Sequence, residues 1–294
     1  MSPNFMCIGA AKSGTTTLYD TLKHHPEIFT TRFKEPHFFD IPENYKKGFS
    51  WYKDMYFGNA DHKIASDFTP SYFFEKDSPR RIHYHLGENI KFVVLLRNPV
   101  DRAYSHFLHS CRDGNESLDF KTALFKEEER LNQYLKNDQY LFYLRHSYYH
   151  QGLYGDMIER YLNYFSLENF FFIHFENEFI NNREQTIHNL LSFLEISKNI
   201  PLRSDIRSNP ASQTRFDFIN DIMNSEGWFR DVLKYLFPSS QLRQIIRNKI
   251  HRANIKEVYP DKISEDLRID IYNYYFKDNI SKLEKLTNRN FNWT

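Results

Sequence analysis

The chain has 294 residues and carries 39 Lys+Arg against 38 Asp+Glu, a formal net charge of +1. So even a balance argues against a general nucleic-acid binder, which needs surplus cations to displace counterions from phosphates. Two cysteines, Cys7 and Cys111, cannot build a disulfide framework or a four-cysteine zinc site, and 17% aromatics beside 9 Gly and 11 Pro exclude a disordered chain.

The N-terminal apolar run is short and meets Lys12 almost at once, unlike a secretory signal. No later stretch approaches the roughly 20 apolar residues of a membrane span. The expectation is a soluble, cytoplasmic protein. Residues 4–9 read as a buried strand, Gly9 to Gly14 as a loop, and Thr15 to His24 as a helix with Pro26 beyond it. Lys63 to Ser66 reads as a short strand before the turn at Pro70. The clearest strand is 91–96, Lys-Phe-Val-Val-Leu-Leu; Asn98-Pro99 breaks it and Val100 to Cys111 resumes as helix. Residues 117–135 are charged and helix-prone, with Glu127 to Arg130 as a solvated face. Gly152 to Phe165 is a helix with Leu153, Met157, Tyr161 and Leu162 on one face. Phe170 to Phe175 is a strand and Arg183 to Leu194 a helix. Beyond residue 200 the pattern is mostly helical and polar. Strands alternating with helices predict an α/β fold, a parallel sheet sandwiched between helices. The absence of a clean linker predicts one domain over 1–294, with a helical C-terminal part packed on it.

The segment Gly9-Ala-Ala-Lys12-Ser13-Gly14-Thr15-Thr16-Thr17 follows a strand and opens a helix. Such a junction offers unpaired N–H groups and a positive dipole end to an anion. Gly14 lets backbone approach closely, Ser13 and Thr15 to Thr17 add hydroxyl donors, and Lys12 adds a full charge. The plainer reading is helix capping, which needs one hydroxyl rather than four. The nucleotide triphosphate loop G-x-x-x-x-G-K-[ST] places its Lys directly after Gly; here Lys12 precedes Gly14. The strand at 91–96 ends in Arg97, with Ser105 eight residues on, and an Arg fork plus a hydroxyl suits a second phosphate. A carboxylate partner such as Asp101 is the plainer role for Arg97. Asp67 is the one candidate for a magnesium ligand near a strand end.

These two segments resemble the sulfotransferases that use PAPS (3′-phosphoadenosine 5′-phosphosulfate). Lys12 to Thr16 is similar to that family's 5′-phosphosulfate loop, and Arg97 to Ser105 to its 3′-phosphate segment. The resemblance extends to heparan-type glycan sulfotransferases and their bacterial relatives. Lys34-Glu35-Pro36-His37-Phe38-Phe39-Asp40 is similar to the segment holding that group's catalytic glutamate. Gly48 to Tyr52, Thr69 to Phe73, and Tyr259 through Trp293 match further segments in order. The resemblance implies a three-layer P-loop-like fold and a sulfuryl transfer from PAPS, with PAP as product. It implies a hydroxyl or amine acceptor on a carbohydrate or glycoconjugate, with a lipid or other small molecule as further acceptor classes, and no nucleic acid, membrane span or metal. It implies Glu35 as base and Lys12 at the leaving oxygen, with Ser13, Gly14, Thr15, Thr16, Thr17, Arg97 and Ser105 holding the nucleotide. Lys34 and His37 fall on the acceptor side, and His37 is the rival base.

Two positions depart from the heparan-type pattern. Phe68, preceded by Asp67, stands where those enzymes carry a lysine. Lys256 is the one cation in the segment where they carry Lys-Gly-Arg, with Arg215 and Arg252 as other candidates to close the pocket. The even charge balance favours a neutral or lightly charged acceptor over a heavily sulfated one. The rival functions are a magnesium-dependent P-loop nucleotide kinase and a non-catalytic nucleotide- or glycan-binding protein. Tyr148, Tyr149 and Tyr154 read as core, or as an aromatic platform for a ring ligand.

Overall fold

A computed structural model describes residues 1–198, 212–214, 255–257 and 263–293 of the chain. Five strands, β1 (Phe5–Gly9), β2 (Ile28–Thr30), β3 (Ile64–Phe68), β4 (Lys91–Leu96) and β5 (Phe170–His174), form one sheet in the order β2-β3-β1-β4-β5. Every pairing is parallel; Phe5 faces Ser66 on one side and Lys91 on the other. Strands buried on both faces read as continuous apolar runs, as Phe5 to Gly9 and Phe92 to Leu96 do.

The two-residue period of the strands divides the core into two clusters. Met6, Ile8, Phe92, Val94 and Leu96 face one layer of helices. That layer contains α4 (Ser78–Leu86), α5 (Pro99–Arg112), α9 (Tyr154–Leu162) and α12 (Lys277–Thr287), through Ile82, Val100, Ile158 and Leu283. Phe5, Cys7, Val93 and Leu95 face the other, formed by α1 (Thr15–Leu22) and α10 (Arg183–Phe193). The three-layer α/β architecture expected from the alternation is the one observed.

The short helices α2 (Pro42–Tyr45) and α3 (Phe49–Phe57) follow β2. The helices α6 (Phe120–Phe125), α7 (Glu127–Lys136) and α8 (Tyr140–His146) lie between α5 and α9. In the C-terminal part α11 (Glu265–Ile271) precedes α12, and β6 (Ser212–Thr214) pairs antiparallel with β7 (Ile255–Glu257). Helix α12 packs on α9 where Gly155 has no side chain. A Cβ there would meet the Asn279 carbonyl oxygen at 2.4 Å, and the Gly155 N–H instead donates to Asn279 Oδ1 at 2.7 Å.

Two expectations change. Strand β2 is missing from the sequence reading, because three residues are too few to show a period. Glu127 is not part of a solvated face; it is fully buried and accepts from the Tyr149 and His150 N–H groups at 2.8 and 3.0 Å. Glu128 and Glu129 are exposed as expected. Among the described residues, no helix is long and apolar enough to cross a membrane. Arg215 and Arg252 lie outside the described residues, as does the side chain of Lys256.

Candidate active site

After β1 the chain turns toward the β3 side of the sheet, and after β4 it turns the other way. The carboxyl ends of β1 and β4 therefore flank the topological switch point, where open parallel sheets bind ligands. Both anion loops start there. Gly14 occupies the N-cap of α1 with φ of 89°, and no side chain caps the helix. The capping role is thus not taken by the hydroxyls, and the first-turn N–H groups are left for another acceptor. A Cβ on Gly14 would also strike Phe175 and Phe179, at 2.9 and 3.0 Å. Ser13, Thr15 and Thr17 are buried and Thr16 half-buried. Ser13 Oγ has no hydrogen-bond partner among the described residues, although the Tyr154 hydroxyl is its neighbour.

The second loop is bolted to the first. Arg97 Nη1 donates to the Lys12 carbonyl at 3.1 Å, and its guanidinium lies 5.2 Å above the Phe175 ring centre. Tyr154 donates its hydroxyl to the Arg97 carbonyl at 3.0 Å. Asp101 pairs with Arg268 at 3.2 Å rather than with Arg97. The Asn98 side chain caps α5 by accepting from Val100 and Asp101 N–H, with Pro99 in the first turn. Along α5, Ser105, His109 and Arg112 recur at helical spacing on the face toward Lys12, and Arg112 and His109 both interact with it electrostatically. Burial first, then the charges of Arg112 and Arg97, push the Lys12 ammonium down to about 7, against the pull of Asp113 and Glu35. The donor set therefore fits a small nucleotide with two anionic groups: gathered cations, first-turn N–H groups and a buried hydroxyl, Ser13, beside the Tyr154 hydroxyl.

Glu35 sits on the adjoining loop after β2, and its charge reaches Lys12. Glu35 and His37 both hold positive φ, 65° and 51°, a conformation that non-glycine residues keep only when the surroundings impose it. Here the turn after β3 imposes it. The Tyr72 hydroxyl accepts from the Phe38 N–H at 3.0 Å, and Ser71 Oγ donates to Asp40 Oδ2 at 2.5 Å. Asp40 Oδ2 also lies 2.7 Å from His37 Nδ1, and His37 Nε2 lies 3.5 Å from Glu35 Oε2. Burial opposes the His37 charge, yet its bonds to Asp40 and Glu35 raise its pKa to about 10. An imidazolium has no lone pair to take up a proton. Burial opposes the Glu35 charge too, but the Lys34 ammonium and His37 bring it down to about 2. Lys34 Nζ is ion-paired directly with Glu35 Oε1. Asp40 and Ser71 are partners of His37 that sequence reading did not assign; Asp40 stands inside the Lys34 to Asp40 segment, but its contact with Ser71 spans 31 residues.

Asp67 is fully buried and accepts from Tyr52 at 2.6 Å, Thr69 at 2.6 Å and Tyr72 at 3.1 Å. Its oxygens are taken up by hydroxyls, which removes the support for its reading as a magnesium ligand. Among the described residues, no group of three or more His, Cys, Asp or Glu gathers as a metal site. Phe68 is buried, edge-on to Phe5 and Tyr19. Tyr148 and Tyr154 are core residues, and Tyr149 lies tilted against Tyr275 with ring centres 4.6 Å apart.

Fold and site together define an α/β protein with paired anion loops at a sheet switch point and a carboxylate poised beside them. Residues 2–236 match the family described as Sulfotransferase domain, and the chain belongs to that family. The human heparan sulfate glucosamine 3-O-sulfotransferase 6 is 30% identical over 171 residues, covering 58% of this chain and 46% of that protein. The human 3-O-sulfotransferase 3B1 is 35% identical over 124 residues, 42% of this chain and 31% of that protein. The chain thus spans less than half the length of these curated relatives. A crystal structure of a sulfotransferase from Alicyclobacillus acidocaldarius superposes with a TM-score of 0.71 at 25% identity, covering 99% of this chain and 97% of that one.

Proposed function

We infer that the chain is a single PAPS-dependent sulfotransferase domain over 1–294, moving a sulfuryl group to a hydroxyl or amine of a carbohydrate. One observation carries this reading: the Arg97 to Lys12 bond locks two anion loops into one unit beside Glu35. A ligand with two separated anionic ends matches that unit. The carbohydrate acceptor is supported by the family relatives, which are named for heparan sulfate glucosamine.

The 5′-phosphosulfate is assigned to the first-turn N–H groups of α1 with Ser13, Gly14 and Thr15 to Thr17. The 3′-phosphate is assigned to Arg97 and Ser105. Sulfuryl transfer resembles phosphoryl transfer in asking for in-line positioning and charge stabilisation rather than covalent help. The acceptor oxygen or nitrogen forms the new bond to sulfur and yields its proton to Glu35. The bond from sulfur to the bridging oxygen breaks, and Lys12 stabilises the charge left on PAP. Glu35 keeps 38% of its side chain exposed, which leaves an open approach for the acceptor.

The test is PAPS turnover over a panel of glycans, lipids and phenols, read by mass as the gain of one sulfuryl group. Wild-type protein is expected to sulfate a carbohydrate. Glu35→Gln is expected to lose about 10²–10⁴ in kcat with PAP affinity intact. Wild-type protein that neither binds nor consumes PAPS would sink the reading.

A further inference from the structure

The Lys34 to Glu35 pair poses a chemical problem. A base clamped by an ammonium is a weak base, and the clamp lies at the reacting centre. Lys34 keeps only 16% of its side chain exposed. Its charge falls on the buried Cys7 thiol of β1, and Cys7 is the ladder partner of Phe68 at the end of β3. The ammonium therefore lies near the carboxyl ends of β1 and β3, the edge from which the Lys12 loop departs. Strand β3 brings no cation there, since Phe68 ends it with an apolar ring turned into the core. Glu35 has a second partner for the moment when Lys34 leaves: His37, itself anchored by Asp40 and Ser71. The groups facing this pair are thus Lys12, His37 and Cys7, with Asp40 behind His37 and Asp67 behind Cys7.

We propose that Lys34 is a catalytic cation that exchanges Glu35 for the sulfuryl oxygens when PAPS binds, neutralising their charge and freeing Glu35 to accept the acceptor's proton. The proposal rests on the PAPS reading above. The transfer keeps its balance: one S–O bond breaks to PAP, one forms to the acceptor, and the acceptor proton goes to Glu35. In the resting protein the clamp keeps the base quiet, and the donor itself releases it.

PAP lacks the sulfuryl group and PAPS carries it, so their affinities separate this role from a structural one. Calorimetry with PAP and with PAPS, on wild type, Lys34→Met and Lys34→Arg, is followed by turnover on an accepted glycan. Lys34→Met is expected to bind PAP as wild type does, to bind PAPS about tenfold more weakly, and to lose about 10²-fold in kcat. Lys34→Arg, which keeps the charge, is expected to recover most of both losses. Equal weakening toward PAP and PAPS, or a kcat that is unchanged or raised in Lys34→Met, would overturn the proposal while leaving the enzyme a sulfotransferase. Wild-type protein that binds neither nucleotide would overturn the PAPS reading, and this proposal with it.

Discussion

Lys12 lies where burial and neighbouring cations discourage its charge, yet its assigned task needs that charge. Its pKa of about 7 in the ligand-free protein means that above pH 7 a bound dianion must draw in a proton. Each pH unit above about 7 is therefore expected to weaken PAP about tenfold until the bound-state pKa is passed. Calorimetry in buffers of different ionisation enthalpy checks this as proton uptake, and Lys12→Met is expected to abolish the uptake. At this scale the motifs were informative. Lys12, Glu35 and Arg97 could be proposed from the sequence because each stands in a short segment whose chemistry is local. Asp40 and Ser71 were not assigned, because what gives them a role is contact across the fold.

The turn after β3 is the element that shapes the Glu35 loop. Asp67 holds Tyr52, Thr69 and Tyr72, and Tyr72 in turn holds the Phe38 N–H. Burial raises the Asp67 carboxyl to about 6 from 3.8. The folded state therefore keeps a proton that the unfolded chain releases, and stability contributed by that proton is lost as pH rises from about 4 through about 6. Across that window wild type is expected to lose up to about 3 kcal/mol relative to Asp67→Asn. Denaturant titrations of both proteins at stepped pH check the slope. The contact between α9 and α12 gives a second expectation. Gly155→Ala forces a methyl against the Asn279 carbonyl, at 2.4 Å before relaxation, and is expected to cost about 1–3 kcal/mol in urea unfolding. The strands of the core were legible because apolar runs bounded by turn residues have few other readings. Strand β2 and the burial of Glu127 were hidden, since three residues carry no period and a buried carboxylate looks like a solvated one until its partners are known.

Across the whole molecule, the C-terminal tail returns to the second anion loop. Trp293 accepts from Asn98 Nδ2 through its carbonyl at 3.1 Å, and its indole N–H donates to Glu176 at 3.3 Å. Glu176 also accepts from the Asn98 N–H at 2.9 Å. The segment 291–293 thus braces the residue next to Arg97. The net charge of +1 is compatible with an anion site because the cations are gathered: Lys12, Arg97, Arg112 and Arg145 cluster, with Asp113 bridging Arg112 and Arg145 at 2.9 and 3.0 Å. A small dianion needs such a cluster and not a global surplus. The central claim is that this cluster holds an adenosine bisphosphate without a metal. Calorimetric titration of the whole chain with PAP and with ATP, each with and without magnesium, tests it most directly. PAP is expected to bind more tightly than ATP, with an affinity unchanged by magnesium. ATP binding that requires magnesium, with no binding of PAP, would contradict it.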